Sequence, residues 1–154
     1  MVSSFPFSTT QPVRFTHTDP ASYVFFPRYF EMIQGVVEDF FTLGLDQDYA
    51  ELVMRQGYGL PTAHTECDFA RPCRLGEQLT FSLYLEKIGR SSMTIVFIGS
   101  VDGLERLRAK SVLVAIDLNN EGRPVTIGKE LRRKLEDYQN ACPPIPDKPG
   151  ALPG

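Results

Sequence analysis

The sequence predicts an α+β domain in which an antiparallel sheet wraps around one long helix. Three observations lead there. An apolar stripe at helical spacing runs through residues 27–43. The stretch from Leu79 to Asp117 is mostly strand-like, with apolar and polar residues alternating, and Asp102-Gly103 inside it is a two-residue hairpin signal. A helix this apolar needs the face of a sheet to cover it.

The chain has 154 residues, the length of one domain. Its apolar fraction of 42% and charged fraction of 23% are ordinary globular values and exclude whole-chain disorder. The net charge of −3 shows no basic surplus of the kind a nucleic-acid binder carries. The start, Met-Val-Ser-Ser-Phe-Pro-Phe-Ser, lacks the basic and apolar regions of a secretory leader, and no stretch is apolar for long enough to span a bilayer. The expectation is a cytoplasmic protein with neither nucleic acid nor membrane as partner. Cys67, Cys73 and Cys142 are odd in number and irregularly spaced, which fits reduced thiols better than a disulfide framework or a zinc site.

Residues 1–12 are polar and read as a loose lead-in. Val13–Thr18 reads as a short strand, broken by Asp19-Pro20-Ala21-Ser22. Pro27 suits the first helical position, where its missing N–H is no loss. Phe30, Ile33, Val37 and Phe40 recur at helical spacing, Met32, Val36 and Phe41 widen the stripe, and Gly44 is a stop. Gly35 in mid-helix costs about 1 kcal/mol relative to Ala, which a close approach to the sheet would explain. A short helix is expected near Gln47–Arg55. Gly59–Phe69 reads as extended, with Pro61 near its start. Leu79–Lys87 places Phe81, Leu83 and Leu85 on one face. Gly89-Arg90-Ser91 is a turn, Met93–Ser100 a strand, and Arg106–Asp117 a strand with Val112, Val114 and Ile116 on one face. After a turn at Asn119–Gly122, Gly128–Gln139 reads as an amphipathic helix bearing Leu131, Leu135 and Tyr138. The tail from Pro143 holds five prolines and no periodicity, so the predicted organisation is one domain over 1–140 and a poorly ordered tail over 141–154.

The chemistry concentrates between Phe15 and Phe30. Asp19 ends the expected strand, just before the loop that feeds the helix. It is either a turn-forming Asp before Pro or a carboxylate acting as nucleophile or general base. Phe26, before Pro27, offers no side-chain oxygen to cap the helix, so the first N–H groups lie bare at a positive dipole end and suit a developing oxyanion. His17 would share a strand face with Asp19, and His64 is the only other histidine. Two histidines in separate segments are poor support for a metal site. No Gly-x-Ser-x-Gly elbow or glycine-rich nucleotide motif is present. Arg71, Arg74, Lys87 and Arg90 sit at predicted loops, as surface charge or as groups for a phosphorylated ligand.

The segment His17-Thr-Asp-Pro-Ala-Ser-Tyr-Val-Phe-Phe-Pro-Arg-Tyr-Phe-Glu31 resembles the signature of the 4-hydroxybenzoyl-CoA thioesterase family of hotdog proteins. That signature is Asp-Pro-Ala-Gly, two or three apolar residues, an aromatic and Pro, then the long helix. The resemblance implies a hotdog fold, subunits that join their sheets into a homodimer or a homotetramer (a dimer of dimers), and active sites at the interface. It implies that Asp19 is the catalytic carboxylate, that the Phe26 N–H polarises the thioester carbonyl, and that Arg90 lies near a turn that meets CoA phosphates. The reaction it implies is hydrolysis of an acyl-CoA, the acyl group being aromatic and benzoyl- or hydroxybenzoyl-like. CoA enters as part of the substrate, and no cofactor or metal is needed. His17, Tyr23, Phe25, Tyr29, His64 and Arg90 are the candidate substrate-binding residues. Ser22 stands where the family has Gly; if the position requires positive φ, Ser22 is strained. The alternatives are a thioesterase for aliphatic acyl-CoA or acyl carrier protein, and a non-catalytic thioester-binding module.

Overall fold

The structure is a computed structural model and describes residues 4–149. Residues 1–3 of the expected lead-in and 150–154 of the expected tail lie outside the described residues. In chain order the elements are β1 (Phe7–Pro12), α1 (Phe26–Asp39) continued by a π-helical turn (Phe40–Gly44), α2 (Tyr49–Met54), β2 (Tyr58–Gly59), β3 (Thr62–Phe69), β4 (Gln78–Ile88), β5 (Ser92–Val101), β6 (Leu104–Val114), β7 (Ile116–Asp117), β8 (Arg123–Pro124) and α3 (Lys129–Ala141). Five strands form an antiparallel sheet in the order β1-β4-β5-β6-β3, and β2, β7 and β8 form a smaller one. The main sheet wraps α1, which is the hotdog arrangement.

The amino terminus departs from expectation. The lead-in contains a strand, β1, and the segment expected as a strand, Val13–Thr18, is a link followed by one 3-10 turn at Phe15–His17. Phe-Ser-Thr-Thr-Gln-Pro has no apolar alternation of its own. Pairing with β4, from Phe7 opposite Leu83 to Pro12 opposite Gln78, makes it a strand. Pro12 is tolerated because it ends a strand at the sheet's edge. Pro61 divides the expected Gly59–Phe69 strand into β2, which joins the small sheet, and β3, which joins the large one. The Asp102-Gly103 hairpin is as expected. Both residues have positive φ, 51° and 79°, between paired Val101 and Leu104.

The core is one cluster. Met32, Ile33, Val36 and Val37 of α1, with Phe40 and Phe41, pack on Leu79, Phe81 and Leu83 of β4 and on Ile95 and Phe97 of β5. Burying each such side chain contributes roughly 1.5–3 kcal/mol. Phe40 also meets the rings of Phe7 and Tyr138, at 5.9 and 4.8 Å, so α3 closes the β1 side of the core. The Tyr138 hydroxyl donates to Leu83 O and accepts from the Phe7 N–H, which joins α3 to both strands. On β6 the core side carries Leu107, Ala109, Ser111 and Leu113; Val112, Val114 and Ile116 lie on the other side, only half-buried. Gly35 makes no close approach to the sheet. A Cβ built there meets nothing within 4 Å, so packing does not explain the glycine.

Residues 143–149 run across the outer face of the sheet. Arg108, clamped by Glu105, donates to Pro146 O at 2.6 Å, and Lys148 pairs with Asp68 at 2.7 Å.

Candidate active site

Asp19 sits in a tight backbone hairpin. The Asp19 N–H donates to Tyr23 O and the Phe25 N–H to His17 O, each at 2.9 Å, and Thr18 lies opposite Val24. This sets the Asp19 strand directly alongside the residues that enter α1. The Asp19 side chain serves the turn with one oxygen: Oδ1 accepts from the N–H groups of Ala21 at 2.9 Å and Tyr23 at 3.3 Å. Oδ2 accepts no hydrogen bond among the described residues. The turn-former and the reactive carboxylate are thus compatible readings of one half-buried residue. Ser22 has φ of +68°, so the position does require the left-handed region and the serine carries its strain.

Helix α1 begins one residue earlier than the sequence predicts, so Phe25 rather than Phe26 is its cap, and Pro27 is the second helical residue. No side chain caps this end. The Arg28 N–H turns back to Phe25 O at 2.8 Å, and the Phe26 N–H has no acceptor among the described residues. A helix mouth with a bare amide and positive dipole end is a site for negative charge. Beside it opens a cleft of about 210 Å³ between Phe26 and Tyr29 of α1 and Phe69–Pro72. The Tyr29 and Phe69 rings meet there at 5.2 Å. Asp19 does not line this cleft in a single chain.

A second loop, residues 70–77, holds the first. Val24 N–H donates to Cys73 O, Leu75 N–H to Ser22 O and Gly76 N–H to Val13 O, at 2.9–3.0 Å. Tyr29 is buried, and its hydroxyl accepts from the Cys73 N–H at 2.9 Å, which ties the loop to the helix. Arg106 on β6 makes a two-pronged bond to Glu77, at 2.8 and 3.1 Å, and donates to Pro72 O. The Arg106 hydrogen bond is the main cause that holds the Glu77 carboxyl below its ordinary value. Sequence reasoning missed Glu77, Arg106 and Phe69, because nothing in the order of residues shows that a loop residue and a strand end meet.

The structure gathers His17, Asp19, Tyr23, Phe25, Phe26 and Tyr29 into this region. His17 is not on a strand face with Asp19. It ends the 3-10 turn, and its Nδ1 accepts from the Arg14 N–H at 2.9 Å. Burial, then the charges of Arg14 and Arg28, lower its pKa, against an opposing pull from Glu31. Tyr23 lies under the Arg74 guanidinium at 5.5 Å. His64 is elsewhere: it pairs with Val112 on edge strand β3 and shares the outer face with Glu66 and Asp68. Arg90 is in the turn after β4, and that 11-residue strand separates it from the Asp19 loop by on the order of 30 Å. Its Nε donates to Thr126 Oγ1.

Burial raises the pKa of all three cysteines, that of Cys67 to about 11, which removes an activated thiol as nucleophile. Among the described residues no group of His, Cys, Asp and Glu side chains is placed to hold a metal ion, and no helix is long and apolar enough to cross a membrane.

The sheet wrapped around α1 gives the protein the hotdog fold, and its class is that of the thioester hydrolases, as its relatives show. Residues 13–135 match the model of the thioesterase-like superfamily, and the chain belongs to that family. A 1,4-dihydroxy-2-naphthoyl-CoA hydrolase of Nostoc punctiforme is 27% identical over 141 residues, covering 88% of this chain and 93% of the relative. The crystal structure of a 1,4-dihydroxy-2-naphthoyl-CoA thioesterase from Synechocystis superposes with a TM-score of 0.76 at 20% identity, over 85% of this chain and 96% of that one. A gentisyl-coenzyme A thioesterase superposes with a TM-score of 0.77 at 19% identity, over 84% and 99%.

Proposed function

We propose that this protein hydrolyses an aromatic acyl-CoA, of the hydroxybenzoyl- or dihydroxynaphthoyl-CoA kind, to the free acid and CoA. The observation that carries the reading is the bare Phe26 N–H at the mouth of α1, beside a hairpin in which Asp19 keeps one carboxylate oxygen unbonded. The thioester carbonyl oxygen accepts from the Phe26 N–H, which stabilises the charge that develops on it. Asp19 Oδ2 then acts in one of two ways. It attacks the carbonyl carbon and expels CoA as thiolate, leaving an anhydride that water opens, or it takes a proton from the water that attacks. The aromatic side chains of Phe26, Tyr29 and Phe69 around the mouth favour an aryl group, as do the names of the relatives. The reaction uses no metal and no cofactor beyond the CoA of the substrate, and we place it in the cytoplasm.

The site is completed by a second copy. Strand β3 ends the sheet, and nearly all of its residues are exposed. Antiparallel pairing of β3 with its twin about a two-fold axis reverses the direction of the second sheet. That carries the other copy's β4–β5 turn, with its Arg90, to the end where Asp19 sits. Arg90 then faces a bound CoA from across the interface, which resolves its distance from Asp19 within one chain. A homodimer, or a tetramer built from it, follows.

The test is thiol release from a panel of aromatic and aliphatic acyl-CoAs by wild type and Asp19→Asn. The expected outcome is faster turnover of aromatic substrates, and in the variant a loss on the order of a hundredfold or more with unchanged melting. Equal rates in the two proteins would remove Asp19 from the mechanism.

A further inference from the structure

Ser111 is one of only two polar or charged residues buried among the described residues; the other, Arg108, is held by Glu105 and the tail. Ser111 lies opposite Thr65 across the β3–β6 ladder, and their hydroxyl oxygens are 2.9 Å apart, either one able to be the donor. The pair faces a cavity of about 170 Å³ between the sheet and α1. Ile33 and Val37 of α1 wall it on one side, Phe97 and Leu113 on the other. A cavity of about 150 Å³ with apolar walls accepts a benzene-sized ring. The cavity lies further along α1 from the proposed reaction centre: Phe30 lines it and meets the Phe26 ring edge-on at 6.3 Å. Phe30 lies one helical turn, roughly 6 Å, beyond the residue whose N–H meets the carbonyl.

Two hydroxyls that share one hydrogen bond retain one donor proton and several lone pairs. Ser111 is buried and Thr65 exposed, so these capacities adjoin a cavity that opens to solvent beside β3, where Gln34 and Thr62 also line it, and a ring that enters displaces the water there. An unsubstituted phenyl ring would leave them unmet; a ring hydroxyl meets them, as donor and acceptor together. We propose that Thr65 and Ser111 are the specificity-determining pair that selects acyl groups carrying a ring hydroxyl. The inference rests on the aryl-thioesterase reading above and assigns the atoms that choose among its substrates. A purely structural cross-strand pair stabilises the sheet but does not distinguish one substrate from another.

The test compares wild type with Ser111→Ala and Thr65→Val, each of which removes one hydroxyl while keeping the local volume. Kinetics on benzoyl-CoA and its 2-, 3- and 4-hydroxy derivatives give the ratio of kcat/KM for hydroxylated over plain substrate. Calorimetric binding of the matching free acids gives the same ratio without turnover. In wild type we expect the best-placed hydroxyl to be preferred by about tenfold, the worth of one to two hydrogen bonds, and either variant to reduce that ratio severalfold, read within each variant so that any change in benzoyl-CoA turnover cancels. A ratio in either variant equal to that of wild type overturns the assignment, as does a wild type that binds hydroxylated and plain acids alike. A wild type that hydrolyses no aryl-CoA sinks the thioesterase reading instead, and the acid-binding ratios still decide the hydroxyl pair. If one variant melts early, the other and the conservative Ser111→Thr, expected to restore the preference, carry the decision.

Discussion

The two ends of the main sheet are built to different standards. At the Arg90 end every exposed carbonyl of the turn has a donor: the Ile127 N–H reaches Arg90 O, the Gly89 N–H reaches Ser92 O, and Arg132 of α3 donates to both Gly89 O and Arg90 O. At the Asp19 end a helix mouth goes uncapped, a serine holds positive φ, and Phe15, Phe25, Phe26 and Phe69 are exposed to solvent. A sequence free to choose stability would have capped α1, as it caps α2, where the Asp48 side chain accepts from the Glu51 N–H. Strain is not confined to this end, since Asp46 and Glu121 also hold positive φ, and α3 too starts without a side-chain cap; what sets this end apart is four exposed rings beside the bare amide of α1, which mark it as the candidate site.

The sharpest way to break this contrast is to delete the bare amide. Phe26→Pro removes the N–H and nothing else of the backbone. Proline is tolerated in the first turn of a helix, and the Phe25 backbone, φ −68° and ψ 123°, is already in the region that precedes proline. Phe26→Ala removes the ring and keeps the N–H. If the amide stabilises the oxyanion, Phe26→Pro loses activity on the order of a hundredfold beyond Phe26→Ala, as removal of such a donor does elsewhere. Steady-state kinetics of the two variants, with circular dichroism to show that the helix persists, measure the difference. Matching rates would mean that the mouth is merely uncapped.

The next effect is smaller and concerns the support of the loops. Glu77→Gln weakens the two-pronged bond to Arg106 and with it the anchor of the 70–77 loop. The expected cost is about 1–2 kcal/mol of stability and a several-fold fall in kcat as the Asp19 hairpin loosens. The pH dependence has a definite sign. Glu77 is held below its ordinary value in the fold, so its contribution is complete above the unfolded value and is lost as pH falls through the lowered one. Wild type therefore loses melting temperature in acid faster than Glu77→Gln, and the two curves converge at low pH. Parallel curves would show that the pair contributes nothing to the fold.

The same contrast explains what could be read in advance. The α1 stripe, the hairpin at Asp102-Gly103 and α3 were legible because local periodicity and turn chemistry produce them. β1 was not, since Ser-Thr-Thr-Gln becomes a strand only through the hydrogen bonds of β4. The core side of β6 was not legible either: both of its faces carry apolar residues, and only the position of α1 chooses Leu107, Ala109 and Leu113 over Val112 and Val114. Within the candidate site, Asp19 and Phe26 stand in one contiguous motif, so the sequence exposes them. Their scaffold of Cys73, Glu77 and Arg106 is assembled from two segments far along the chain, the 70–77 loop and β6, and no local signal announces it.

Ser22 gives the smallest effect and tests whether strain in the Asp19 loop bears on activity. Holding an L-residue in the left-handed region costs roughly 1–2 kcal/mol, and the extra freedom of an unfolded glycine offsets about 0.5–1 kcal/mol of what Ser22→Gly would recover. The net gain is about 0.5 kcal/mol, or a rise in melting temperature on the order of 1–2 °C. Glu121, at φ +55° in the Asn119–Gly122 turn and outside the Asp19 loop, is the matched control. Glu121→Gly should give the same gain, because the torsional cost depends on φ and not on the neighbourhood. Activity separates the two. Relaxing Ser22 frees the turn that positions Asp19, so kcat changes there and stays fixed in Glu121→Gly. If both variants stabilise alike and neither alters kcat, strain at Ser22 is incidental, and the left-handed turn is needed only to bring the chain round to the helix.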